Sequence, residues 1–277
     1  MIDTHVHIAN FQTPQPDMLL KSMDAHGVDR LVLFSEEPAY WETDPEKRKR
    51  HNAERLDRLF AWCQGSGGRL LPVSFLNPTE PDAIAQVDEA LARGAIGFKV
   101  ICETFYPGDE RALPTYRHIA NLGKSILFHS GILWDPCDCS KYNRPALFEA
   151  LMEVPKLTFA LAHIGWPWTD EMIAVYGKFM AMRGHPRFTG QHMYIDMTPG
   201  TPACYRREVM ERLFAVDYPL MAERLLFGSD AFTDDYDARW AQQVWQEDAR
   251  ILADIGQPES VLQSISCNNA LRFWNIE

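Results

Sequence analysis

Eight short runs rich in apolar residues recur along the chain, at 2–8, 30–35, 69–76, 95–101, 125–130, 157–163, 191–197 and 224–229. Several are continuous rather than alternating, such as Leu31-Val32-Leu33-Phe34 and Ile126-Leu127-Phe128. Runs of this kind fit strands buried on both faces, the environment of a parallel sheet. Between them the spacing changes to a helical one. Residues 81–93 place Ile84, Val87, Ala90 and Leu91 on one side, and 46–62, 145–153, 203–214 and 238–255 read alike. Two shorter helical turns, 259–265 and 268–274, follow.

Strands alternating with helices imply parallel pairing through crossovers. Eight such units predict a closed α/β barrel, a single (β/α)8 TIM barrel forming one domain over residues 1–277. The G-x-G-x-x-G phosphate fingerprint expected of a dinucleotide-binding sheet does not follow the first run. The only Gly/Ser cluster, Gln64–Gly68, is five residues long and falls where a helix-to-strand loop belongs.

The length, 277 residues, suits one such barrel, and 46% hydrophobic with 23% charged residues is ordinary globular usage. The net charge of −11 argues against nucleic acid and against an anionic membrane surface, both of which need a basic face. No apolar run reaches the ~18 residues of a membrane span. Ile2–Ile8 holds two histidines and an aspartate, which no signal-peptide core would carry. With six scattered cysteines, this predicts free thiols and a cytoplasmic location. A homo-oligomer is compatible with all of this.

Candidate chemistry gathers at the ends of the predicted strands. In Asp3-Thr4-His5-Val6-His7, residues two apart share a face, so His5 and His7 point together, and Asp3 is expected on that face too. Two converging imidazoles suit zinc or a similar divalent ion. His129 ends the fifth strand, His163 the sixth and Asp230 the eighth. In a barrel those ends form the rim that carries the active site. Three imidazoles and a carboxylate can hold one divalent ion with room for water, whose pKa then falls towards ~7. Asp230 can accept a proton from water, and His163 can protonate a leaving group or stabilise an oxyanion.

Asp3-x-His5-x-His7, Phe-His129-Ser-Gly, Leu-Ala-His163-Ile-Gly-Trp and Phe-Gly-Ser-Asp230 together resemble the amidohydrolase superfamily. The likeness is to its TIM-barrel, metal-dependent branch that includes aminocarboxymuconate semialdehyde decarboxylase. It runs from the first strand to the last. It implies His5, His7, His129 and Asp230 as metal ligands, one zinc with manganese as the second candidate, and His163 beside the ion as acid/base or, in some members, a ligand. It also implies hydrolysis of a small substrate or, alternatively, non-oxidative decarboxylation of an unsaturated or aromatic acid.

Lys99 ends the fourth strand, and Arg144 lies in the long polar loop after the fifth. Both are candidates to pair a substrate carboxylate, which the acidic chain would otherwise repel. In binuclear superfamily members a carboxylated lysine bridges two metals from the position of Lys99. Asp196 ends the seventh strand and is expected to line the pocket. Trp166 and Trp168 follow His163 and are candidates either to stack on a flat substrate or to pack the loop. A compact small-molecule pocket is expected because most loops are short.

Overall fold

Alternate residues of each strand separate into two apolar layers in the computed structural model, which describes residues 1–9 and 12–277. The strands are β1 (Ile2–His7), β2 (Arg30–Phe34), β3 (Leu70–Phe75), β4 (Gly97–Val100), β5 (Ser125–Phe128), β6 (Thr158–Leu161), β7 (His192–Asp196), β8 (Leu225–Leu226) and β9 (Ala231–Phe232). All pair in parallel, in the order β8-β7-β6-β5-β4-β3-β2-β1-β9. The sheet curls into a single α/β TIM barrel. Leu31, Leu33, Ile126, Phe128, Phe159 and Leu161 face the helices. Val32, Phe34, Leu127, Ala160, Tyr194 and Leu226 fill the interior.

Helices over 45–63, 83–92, 203–215 and 238–254 match the expected amphipathic segments closely, and further helices form at Pro16–His26, Leu113–Asn121 and Thr169–Ala181. Pro145–Glu153 is a 3-10 helix rather than an α-helix. The C-terminal helix Asn269–Trp274 plugs the barrel at the strands' N-terminal end, with Ala270, Phe273 and Trp274 in the interior cluster. Gly97 makes room for that plug. A Cβ on it would lie 2.5 Å from Trp274 Cζ3 and 2.9 Å from the Ser125 carbonyl.

Two local departures from the period-2 pattern shape the opposite end. In β1, Asp3 pairs with Leu31 but Val6 with Leu33, so three residue steps match two. This bulge inverts the parity between Asp3 and His5. Asp3 therefore does not share the face of His5. Its Oδ1 instead accepts hydrogen bonds from the Ser229 N–H (2.9 Å) and the His5 N–H (3.3 Å), with Tyr236 Oη 3.5 Å from Oδ2. The expected strand at 224–229 also breaks. Only Leu225–Leu226 pairs with β7, and the chain resumes against β1 at Ala231–Phe232. Across the break, Thr4 N–H donates to the Phe227 carbonyl (3.1 Å) and Asp230 N–H to the His5 carbonyl (2.9 Å), which closes the barrel.

Candidate active site

The end of β1 supplies the two histidines. His5 and His7 lie on either side of Val6, which faces the helices, so both rings enter the barrel mouth with their Nε2 atoms 3.1 Å apart. Phe34 stands edge-on to both rings, and Phe232 stacks on His7 at 5.2 Å. Asp230 reaches the same point from the strand break. Its Oδ1 is 3.2 Å from His5 Nε2 and 3.5 Å from His7 Nε2, while its Oδ2 is 3.9 Å from His163 Nδ1. One carboxylate thus spans two groups of histidines.

Both Asp230 (φ 58°) and His163 (φ 60°) adopt left-handed backbone, as does Ile164 (φ 52°). Such conformations cost non-glycine residues about 1–3 kcal/mol each and are tolerated where the surroundings hold them. His163 stands beyond the end of β6 rather than within it, in a tight turn at Ala162–Gly165. Gly200 packs directly beneath its ring, because a Cβ there would lie 2.6–2.8 Å from His163 Cβ, Cγ and Nδ1.

His129 follows β5 and lies beside His163, with ring centroids 4.9 Å apart. Its Nε2 is 3.2 Å from the Ile132 carbonyl. A carbonyl only accepts, so Nε2 carries the proton and Nδ1 keeps the lone pair. Lys99 projects inward from β4, almost completely buried, with Nζ 3.4 Å from His5 Nε2.

Burial lowers His5 and His129 well below the usual imidazole range, and Lys99 with the neighbouring histidines acts in the same sense. Burial also takes His163 down to about 4, against an opposing pull from Asp230. These three rings are therefore neutral at pH 7. Burial raises the Asp230 carboxyl, but His163, His7 and Lys99 outweigh it and hold the group below the ordinary carboxylate range. Lys99 is brought down to about 8 by burial, with Asp230, Asp196 and Glu37 opposing.

The donor set fits a divalent ion. Ligands of a tetrahedral site with bonds of 2.0–2.1 Å lie about 3.3 Å from one another, and the His5–His7–Asp230 triangle has edges of 3.1, 3.2 and 3.5 Å. His163 is close by, since one donor atom each from His5, His163 and Asp230 lie within 4.8 Å of one another. Neutral His5 and ionised Asp230 are in the protonation states that ligation needs.

A cavity of about 280 Å³ opens over this cluster. Its wall includes Lys99, Glu37, Trp134, Trp166, Phe232 and all four histidines of the cluster. The structure thus brings together His5, His7, Lys99, His129, His163 and Asp230. Arg144 is not brought in. It is exposed, its guanidinium pairs with Glu171 and lies 5.2 Å over the Trp168 ring, and neither Arg144 nor Trp168 lines the cavity. Asp196 is not a cavity-wall residue either but lies buried behind His5, its Oδ2 2.6 Å from His5 Nδ1. Thr198, Gly200 and Phe232 carry no motif that would have singled them out. Their roles depend on contacts across the barrel.

The amidohydrolase family profile matches residues 2–276, and the chain belongs to that family. No curated protein matches the sequence. Solved structures with a similar fold include 5-carboxyvanillate decarboxylase LigW from Sphingomonas paucimobilis (15% identity, TM-score 0.69, covering 100% of this chain and 99% of that one). Another is the apo form of Metarhizium anisopliae IDCase (15%, 0.69, 99% and 96%). A third is a dihydroorotase from Campylobacter jejuni (15%, 0.55, 100% and 83%). The family is an enzyme family acting on small molecules, generally with a divalent metal. No helix among the described residues is long and apolar enough to cross a membrane.

Proposed function

We propose that the protein is a metal-dependent hydrolase of a small cyclic or carboxylated substrate. The observation that carries this reading is the position of Asp230, one oxygen against His5 and His7 and the other towards His163. The ion would be held by His5, His7, His129 and Asp230. Zinc suits these nitrogen and oxygen donors, and manganese is the second candidate. A divalent ion there would supply Lewis acidity to water and to a substrate oxygen.

The chain's own residues account for the rest. Asp230 is ionised at pH 7 and accepts the proton of the attacking water, then returns it to the leaving group. Neutral His163 donates an N–H hydrogen bond to the oxygen on which charge develops. Lys99 is a cation in the cavity wall and pairs a substrate carboxylate. Six free thiols are in keeping with a reducing, cytoplasmic setting.

A second reading is non-oxidative decarboxylation. It is favoured by Trp134, Trp166 and Phe232, which line the same cavity as Lys99 and suit a flat acid. The fold also resembles that of the 5-carboxyvanillate decarboxylase LigW. A panel of lactones, cyclic amides and carboxylated aromatics separates the two readings. Metal-dependent ring opening or hydrolysis supports the first, and carbon dioxide release without hydrolysis supports the second. Turnover that survives complete removal of metal overturns both.

A further inference from the structure

The end of β7 contributes no atom to the donor triangle, yet it touches two of the histidines. Asp196 and His5 are both fully buried, 191 residues apart in sequence, with Oδ2 2.6 Å from Nδ1. The other carboxylate oxygen of Asp196 accepts the Thr198 N–H at 2.8 Å, which fixes the carboxylate plane. The Thr198 hydroxyl is 3.2 Å from His163 Nδ1 and 3.5 Å from His5 Nδ1.

The geometry points to Asp196 as the positioning residue that sets the tautomer of His5, with Thr198 as its support against His163. The shortest contact of the His5 ring, 2.6 Å from Nδ1 to Asp196 Oδ2, sets that tautomer. Lys99 Nζ, 3.4 Å from His5 Nε2, can only donate and favours the same tautomer, whereas Asp230 Oδ1 at 3.2 Å is an acceptor that opposes it, so the shorter Asp196 contact decides. The proton then resides on Nδ1 and is donated to Asp196. Nε2 is left facing His7 and Asp230 with its lone pair available. A carboxylate behind a ligating imidazole restrains the ring and raises its basicity, and loss of such a partner typically lowers metal affinity 10–100-fold. The metal part of this inference rests on the reading of the site given under Proposed function. The tautomer does not.

The test uses full-length, ¹⁵N-histidine-labelled protein stripped of metal, with His5 assigned through His5→Gln. Imidazole ¹⁵N–¹H spectra are expected to show His5 protonated at Nδ1 in the wild type, and a shift towards Nε2 protonation or a mixture in Asp196→Asn. Zinc affinity, measured by competition with a chromogenic chelator, is expected to fall 10–100-fold in Asp196→Asn. In Thr198→Val it should stay within about threefold of wild type while the His163 ring signals move. Wild-type His5 protonated at Nε2 overturns the inference without any variant, so a variant that fails to fold does not shield it. A folded Asp196→Asn with unchanged tautomer and zinc affinity within threefold overturns it equally. Wild-type protein with the expected tautomer but no zinc binding overturns the metal reading and leaves the positioning of His5 standing.

Discussion

Asp230 has two neighbours that compete for its charge, the His5–His7 pair on one oxygen and His163 on the other. Asp230→Asn keeps the size but removes the ability to take a proton. General-base catalysis contributes about 10²–10⁴-fold. The variant is therefore expected to lose at least about 10²-fold in kcat with KM changed less than about threefold, read from steady-state kinetics on the first substrate of the panel. A rise in KM alone would make Asp230 a binding residue. Lys99 and Arg144 form a contrasting pair. Lys99 is buried in the cavity wall, whereas Arg144 is exposed and already paired with Glu171. A hydrogen-bonded ionic contact to a substrate carboxylate contributes roughly 1.5–3 kcal/mol, which is about tenfold or more in KM. Lys99→Met should show that loss for carboxylated substrates only. Arg144→Leu should leave KM unchanged for every substrate.

At the scale of elements, the barrel holds its site at one end and its plug at the other. Gly97 opens β4, and Lys99 projects inward two residues later on the same strand. Gly97→Ala would drive a methyl group into Trp274 and the Ser125 carbonyl. Overpacking of this kind costs about 1–3 kcal/mol. Thermal or denaturant unfolding should show that loss, and Gly97→Ala/Trp274→Leu should recover part of it by shrinking the plug. Equal stability of Gly97→Ala and wild type would mean that the plug yields easily. Beyond β5, Gly131 has φ +99° and packs against the backbone of Gly165 and Trp166, close to both His129 and His163. A side chain there would disturb both histidines at once, so this glycine links two strand ends.

For the molecule as a whole, the fold brings five strand ends to one cavity and an acidic chain to a site with few cations. The expected metal content is about one divalent ion per chain by elemental analysis. Binding of an ion to the folded state alone stabilises it by RT ln(1 + [L]/Kd), about 2.7 kcal/mol at one hundred times Kd. Chelation should therefore lower the melting temperature by several degrees and abolish turnover, and zinc or manganese should restore both. An active preparation with no metal, or a melting temperature indifferent to chelator and zinc, would contradict this.

Local periodicity and strand-end chemistry determined much on their own. The continuous apolar runs placed eight parallel strands, and the helical spacing placed the segments around 46–62, 203–214 and 238–255 close to where they form. Polar residues ending buried strands marked His5, His7, His129, His163, Asp230 and Lys99, all of which meet at one cavity. These features are legible because strand period and helix period are properties of neighbouring residues. What depended on distant partners was not. One bulge in β1 turned Asp3 away from His5, because a single unpaired residue reverses every later side chain. The break between β8 and β9 followed from how β1 closes the barrel, and Asp196 acquired its place through a ring 191 residues away. Arg144 found Glu171 before it could reach the cavity, a pairing that loop sequence alone does not contain. Which residues end at the rim was thus readable from neighbouring positions alone. Which of them touch was not, since that is set by strand parity, barrel closure and ion pairing between segments far apart in the chain.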